Sequence, residues 1–405
     1  MTSRKPLLPV ADALAQIIQA MPEMGVEPLP LTDAIDRVLA ENIHALVSHP
    51  PHDVSAMDGY AVALSDLADG QTTLKVIGES AAGHPYDAPI EPQSAVRIFT
   101  GAYLPQGADA IIIQEDTSID GDHVTILERP QPRRYIRKQG QDFAKGDVIA
   151  EKGTCLDARR LALIASSGHG TVTVKAKPKI AIISTGDELV APGITPQHGQ
   201  IVASNGMFLC HLLNILGADA VDYGHIPDDQ KALEDAFSHA QTADMIITTG
   251  GASVGKHDGV AHHMASGDGL AFWRIAMRPG KPLIFGHLGQ TPILGLPGNP
   301  VSTGVCGLVF VTAAIKAMLG QDTTPQTRPA KLATDLPEND QRQDYLRASL
   351  SYDDQGQAWV KAFDKQDSGM FQSFANADAL IIRPPHAKPA QSGDIVTILP
   401  IPSLI

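Results

Sequence analysis

Three segments of this sequence combine glycine, small hydroxyls and charge in a way that suits oxyanion chemistry. They are Ser184-Thr185-Gly186-Asp187-Glu188, the stretch from Thr249, Gly250 and Gly251 through Ser253 to Asp258, and Leu296-Pro297-Gly298-Asn299-Pro300. Glycine lets backbone N–H groups approach an anion, and hydroxyls add donors. Asp187, Glu188, Asp228 and Asp258 offer hard oxygen ligands, while Lys256, Arg278 and Lys281 offer cationic partners. A metal that bridges phosphates needs both kinds of group, and this donor set suits Mg²⁺ better than zinc. Lys281 lies in Met277-Arg278-Pro279-Gly280-Lys281-Pro282, a turn stiffened by proline that would hold its ammonium in place. Singly, each segment also reads as a tight turn, and Asp228 or Asp229 as a helix cap. Together they predict a phosphate or oxyanion cradle.

The elements that must position these segments are legible in the hydrophobic pattern. Continuous apolar runs at 180–183, 245–248 and 293–296 precede the three segments, as in parallel strands buried on both faces. Helices are predicted between them. Ser204 and Asn205 can cap one carrying Leu209, Leu212, Leu213 and Leu216, Asp228 or Asp229 can cap another, and residues 301–319 form a third. This alternation predicts a three-layer α/β domain over 179–327 with a parallel sheet, where ligands settle beyond the strand ends. Upstream, Val10, Leu14, Ile17, Ile18 and Met21 predict a first helix, and Ile35, Leu39 and Ile43 a second after Thr32 and Asp33. An N-terminal helical and linker domain is therefore expected over 1–48 and 143–178. Runs at 73–78, 95–100, 110–114 and 123–127 predict a mainly β domain over 49–142, and runs at 344–351, 358–362 and 395–399 a small, β-barrel-like domain over 328–405. In the first β domain, Asp58 and Thr100 each sit beside glycine, and Asp142 follows a basic cluster.

Composition narrows the classes. Among 405 residues, 45 acidic against 31 basic side chains leave a net charge of −14, which argues against a general nucleic-acid coat. Cys155, Cys210 and Cys306 supply neither a disulfide framework nor a paired zinc spacing, so a reducing compartment is expected. Lys316 interrupts the longest apolar stretch, which reads as a buried helix rather than a membrane span. No membrane segment is expected, and the chain is read as cytoplasmic.

The motifs also occur in a recognisable order. SHPPHDVSAMDGYAV (48–62), FTGAYLPQGADAII (99–112), STGDELV (184–190), TTGGASVG (248–255), RPGKP (278–282) and LGLPGNPVS (294–302) make the chain resemble molybdopterin molybdenumtransferase, the family of bacterial MoeA and the C-terminal enzyme domain of gephyrin. The resemblance implies a transferase of molybdenum cofactor synthesis. It would take molybdate and adenylated molybdopterin, use Mg²⁺ and release AMP. It further implies a homodimer with a site shared between chains, and pathway partners such as a molybdopterin adenylyltransferase and molybdoenzyme-delivery proteins. The expected catalytic positions are Asp58, Thr100, Asp142, Glu188 and Lys281, with Glu188, Asp228 and Asp258 at the metal. Thr185, Gly186, Asp187, Gly250, Gly251, Ser253, Arg278, Pro297, Gly298, Asn299, Pro300 and Ser302 are the expected substrate contacts. Lys256 and His257 depart from the family pattern before Asp258, and Arg278 stands where many members have Lys. The rival readings are a molybdopterin-binding scaffold and a molybdopterin adenylyltransferase. With the first helix near residue 10 and the last strand ending near 399, no appended adenylating domain is expected.

Overall fold

The computed structural model describes residues 7–67, 71–227, 229–251 and 269–401. The chain divides into two compact units, Pro28–Val174 and Met1–Glu27 with Lys175–Ile405.

The first predicted helix is Val10–Ala20 (α1). The second is absent, although Ile35, Leu39 and Ile43 keep a helical spacing. A 3₁₀ turn, Leu31–Asp33, leads into extended chain and the short strand Ile43–His44. Leu39 donates its N–H to Thr154 O at 3.0 Å, and Ala34, Leu39 and Ile43 bury against Leu156, Ile164, Val172 and Val174. Tertiary pairing with a distant segment thus satisfies the apolar positions that a helix would have buried, and it overrides local preference. In the same unit Ala158–Ser166 (α2) starts at Asp157, whose carboxylate accepts Arg160 N–H at 2.8 Å.

The β part of Pro28–Val174 is a six-stranded sheet. Its strands are Gly59–Val62 (β1), Thr72–Ser80 (β2), Ser94–Ile98 (β3), Ala110–Ile113 (β4), Thr117–Asp120 (β5) and His123–Ile126 (β6), in the order β4-β1-β3-β2-β6-β5. Tyr60, Val62, Leu74, Ala95, Ile112, Val124 and Ile126 form its core.

The α/β domain holds a second six-stranded sheet of Lys179–Thr185 (β7), Asp219–Ile226 (β8), Met245–Thr249 (β9), Leu270–Trp273 (β10), Ile284–Leu288 (β11) and Thr291–Leu296 (β12), ordered β8-β7-β9-β12-β11-β10. The first four neighbours are parallel. The expectation of a parallel sheet fails at β11 and β10, which are antiparallel. Leu288 pairs with Thr291 across two intervening residues, too few for the crossover that a parallel strand needs. Helix Asn205–Ile215 (α3) packs on β7 and β8, and Gln230–Ala240 (α4) buries Leu233, Ala236 and Phe237 against Ala181, Ile183, Ile246 and Ile293. Ile180 and Ile182, on the alternate face of β7, are also fully buried, as a covered sheet requires. Asp229 caps α4 through Ala232 N–H at 2.9 Å. Pro300–Met318 (α5) is long and apolar enough to cross a membrane, but 78% of its apolar window is buried in the fold, as befits a core helix.

The C-terminal strands Arg328–Leu332, Gln343–Tyr352, Ala358–Ala362, Ala379–Arg383 and Ile395–Pro400 close on themselves, because Gln343–Tyr352 pairs with both Ala358–Ala362 and Ala379–Arg383. The result is the expected small β-barrel. Met277–Arg278 extends it, pairing Met277 with Gln343 and Arg278 with Asp344. The RPGKP turn is therefore tied at its start to the barrel and at its end to β11.

Candidate active site

Strands β7, β9 and β12 are consecutive neighbours, so their exits bring the three glycine-bearing segments side by side. The ladder runs to Ser184 opposite Thr249, and Thr249 opposite Leu296. Packing at the exits is tight enough to dictate sequence. A side chain at Gly250 would begin 2.3 Å from Thr185 O, whereas one at Gly298 would meet Gly250 Cα only at an ordinary contact distance of 3.5 Å. Gly250 also has φ +93°, so both the close approach and the backbone conformation require glycine. Among the described residues, Thr185 Oγ1 and Thr248 Oγ1 are the buried side-chain polar atoms without a hydrogen-bond partner. Such orphans are uncommon in folded proteins and call for an explanation, and Thr185 lies at a strand exit where a ligand would supply one.

Glu188 is exposed and its carboxylate lies over Gly186, where a side chain would meet it at 2.6 Å. Gly186 O accepts Leu189 N–H at 3.1 Å and lies 2.6 Å from His225 Nε2. Asp187 is exposed beside it. On the third exit, Pro300 opens α5 at a first-turn position that suits proline, and Asn299 O accepts Thr303 N–H at 2.9 Å. Pro297 O accepts the Thr303 hydroxyl at 2.5 Å, and Ser302 is buried. Asn299 Nδ2 donates to Ser368 Oγ at 2.9 Å, while Val301 N–H donates to Ser368 O at 3.2 Å. Asp228, Ser253 and Asp258, with Lys256 and His257, lie outside the described residues.

The two cations of the RPGKP turn differ in surroundings. Lys281 is exposed, and its carbonyl accepts Ile275 N–H at 3.0 Å. Arg278 donates from Nε to Asp344 Oδ1 at 2.6 Å, from Nη2 to Asp344 Oδ2, and from Nη1 to Asp340 at 3.2 Å. The Asp344 hydrogen bonds raise the Arg278 pKa, whereas burial pushes Asp344 upward against the opposing pull of Arg278. The charge of Arg278 is thus compensated by carboxylates, and the side chain braces the turn on the barrel.

Composition gave no notice of three further residues. Arg274 is held at φ +77°, with its guanidinium 4.7 Å from the centroid of the Trp273 ring. Asn205, read only as a cap, has its side-chain amide on Thr249 and Gly298. Arg347, 1% exposed, donates to Asp367 O at 3.0 Å and to Ser373 Oγ at 3.4 Å. Among the described residues no carboxylate is in ion-pair contact with it, although burial lowers its pKa and the charge of Asp367 opposes that. Burial could have been suspected from the apolar strand around it, but the missing ion-pair contact could not.

In the unit Pro28–Val174, Asp58 Oδ1 accepts both Thr100 N–H and the Thr100 hydroxyl, each at 2.8 Å. These bonds, the backbone one foremost, hold the Asp58 carboxyl below its ordinary pKa. Asp142 lines a hollow of about 510 Å³ with His49, Pro51, Gly101, Tyr103 and Arg137.

The fold and these exits define a class before they define a member: an α/β ligand-binding domain followed by a closed barrel. Residues 181–317 match a probable molybdopterin binding domain, residues 8–168 the MoeA N-terminal region (domain I and II), and residues 329–401 the MoeA C-terminal region (domain IV). Molybdopterin molybdenumtransferase of Haemophilus influenzae is 37% identical over 98% of this chain and 100% of its own. The protein of that name from Nostoc sp. is 33% identical over 98% of this chain and 94% of its own. The crystal structure of the molybdopterin biosynthesis MoeA protein from Pyrococcus horikoshii superposes with a TM-score of 0.84 at 29% identity, covering 98% of this chain and 100% of that one. The chain belongs to the molybdopterin molybdenumtransferase family.

Proposed function

We propose that this protein completes molybdenum cofactor assembly. It binds adenylated molybdopterin and molybdate, joins molybdenum to the dithiolene sulfurs with Mg²⁺ present, and releases AMP. The observation that carries this reading is Arg347, a buried guanidinium with no carboxylate in ion-pair contact, beside the Asp367–Ser368 backbone that also meets Asn299 and the start of α5. A buried cation met by a carbonyl, a hydroxyl and only the more distant charge of Asp367 is costly, and a small dianion would relieve it. The helix start adds N–H groups and positive partial charge, and Lys281 adds a second cation on a braced turn.

Asp228 and Asp258 lie outside the described residues, and what is described suits an Mg²⁺ held in part by the substrate. Among the described residues no three metal-ligating side chains are gathered, while Glu188 offers one exposed carboxylate at the β7 exit. Mg²⁺ takes few carboxylates and completes its shell with water and phosphate oxygens, where it would neutralise developing charge. Glu188 would hold that ion. Thr185 and the Gly250 turn bind and orient the pterin phosphates, and Lys281 with Arg347 holds molybdate. Asp58, kept ionised, fixes the Thr100 hydroxyl. The active assembly in this reading is a homodimer in the cytoplasm, with Asp58, Thr100 and Asp142 supplied by the second copy.

The test mixes purified protein with adenylated molybdopterin, Mg²⁺ and molybdate. AMP is expected only when all are present. Cleavage of ATP with molybdopterin in the absence of molybdate would replace this reading with an adenylyltransferase. Activity restored on mixing Lys281→Ala with Asp142→Asn protein checks the shared site.

A further inference from the structure

We infer that Asn205 is a positioning residue that ties the β9 and β12 exit turns together and so sets the width of the ligand cradle. The inference rests on the reading of those turns as the molybdopterin-binding edge. Asn205 stands at the start of α3, the helix that follows β7, and is half-buried. Ser204, at the cap position, makes no side-chain capping bond, and the bonds of the Asn205 amide go to residues outside its own helix. Its Nδ2 donates to Thr249 Oγ1 and to Gly298 O, both at 2.8 Å.

Chemistry fixes the orientation of this amide. Gly298 O can only accept, so the atom facing it must be the NH₂ group, and a flipped amide would set two acceptors against each other. Both Nδ2 hydrogens are thereby engaged. Thr249 Oγ1 accepts one of them, so its own hydrogen points away from Asn205. Beyond the last ladder pair, the other bond between these two exits is the long Gly250 N–H to Leu296 O contact at 3.3 Å. The Asn205 amide is consequently the better-formed of the two links, and it acts through Thr249 and Gly298 rather than by touching ligand.

Asn205→Asp isolates one link. A carboxylate can still accept from the Thr249 hydroxyl but faces Gly298 O with a lone pair. Thr249→Val removes the other link, and Thr249→Ser retains it. Amide exchange over 296–302 in the ligand-free protein is expected to quicken in Asn205→Asp, with the thermal midpoint within a few degrees of wild type. Molybdopterin affinity, read by pterin fluorescence, should fall about tenfold, the scale of one such hydrogen bond. The KM for adenylated molybdopterin should rise with it while kcat changes less. Thr249→Ser, which keeps the hydroxyl, should leave exchange over 296–302 at the wild-type rate, and the losses in Asn205→Ala and Thr249→Val should be less than additive when combined. Wild-type exchange over 296–302 in Asn205→Asp, or strictly additive losses, would overturn the inference. Quickened exchange in a protein whose wild type binds no molybdopterin would uphold the clamp and reject the functional reading instead.

Discussion

Gly280 sits at φ +113° beneath the Lys281 turn, and a methyl group added there would begin 2.6 Å from Cys306 Sγ and 3.3 Å from Met277 Sδ. Cys306 belongs to the core helix α5 and is fully buried, so it has nowhere to retreat. Gly280→Ala therefore carries two penalties of different origin. The backbone conformation costs a non-glycine residue about 1–3 kcal/mol, and forcing a methyl into a filled core costs about 1–3 kcal/mol more. The sum, roughly 4 kcal/mol, is large against the ~5–15 kcal/mol stability of a typical protein, yet it leaves a folded population to assay. Cys306→Ala removes the obstructing sulfur at a cost of ~1–2 kcal/mol for the lost burial. In the double variant most of the packing penalty should go, leaving the flexible Met277 thioether at 3.3 Å to yield, while the backbone penalty stays. Urea unfolding of the four proteins should thus give a coupling of about 1–3 kcal/mol favouring the pair. Turnover should fall in Gly280→Ala as the Lys281 turn shifts, and recover in part in the double variant. A coupling of zero would refute the argument that the RPGKP turn is seated on Cys306.

Other changes probe the charges separately. Lys281→Ala should lower turnover at least tenfold with an unchanged thermal midpoint, since an exposed side chain leaves, and wild-type turnover would remove Lys281 from the mechanism. Arg347→Gln should weaken molybdate binding by more than tenfold in equilibrium dialysis, as it removes the buried positive charge. Asp340 responds to pH: its hydrogen bonds and charge pairing with Arg342 lower its pKa from 3.8 to about 2. A lowered folded-state value means its stabilisation is present above about pH 4 and lost as pH falls toward 2. With the Asp340 side chain 41% exposed, the effect should stay under about 1 kcal/mol. Asp340→Asn should flatten the acid limb of the stability curve by that amount.

The parallel strands, their exits and the barrel were legible because apolar runs and glycine turns are local signals. The pattern failed where distant chain decided the outcome. Leu39 and Ile43 kept helical spacing, yet pairing with the 148–174 region drew them into an extended strap. The antiparallel turn of β11 followed from a two-residue connection that the periodicity of either strand could not reveal. Within the site, motif residues were found by type, but their partners were not. Glycine at 250 reads as an anion-approach position, and the fold adds a second reason, the Thr185 carbonyl packed against it. Asn205 looked like a cap because Ser and Asn before a helix ordinarily are; only the neighbouring loops redirect its amide.

Two arginines show how the fold sorts charges that look equivalent in sequence. Arg278, in the motif, is matched by Asp344 and Asp340, so an arriving anion would gain little from it unless those bonds broke. Arg347, in an ordinary strand, meets the carbonyl of Asp367, while the carboxylate of that same residue accepts Gly369 N–H at 2.8 Å. That carboxylate makes no ion-pair contact with Arg347, yet its charge still acts on the guanidinium and opposes the lowering of its pKa by burial. In a protein of net charge −14, long-range repulsion of a dianion is screened beyond roughly 8 Å at physiological salt. What would decide anion binding is therefore the field within that radius, where desolvation leaves more attraction at a guanidinium without an ion-pair contact than at one clasped by two carboxylates.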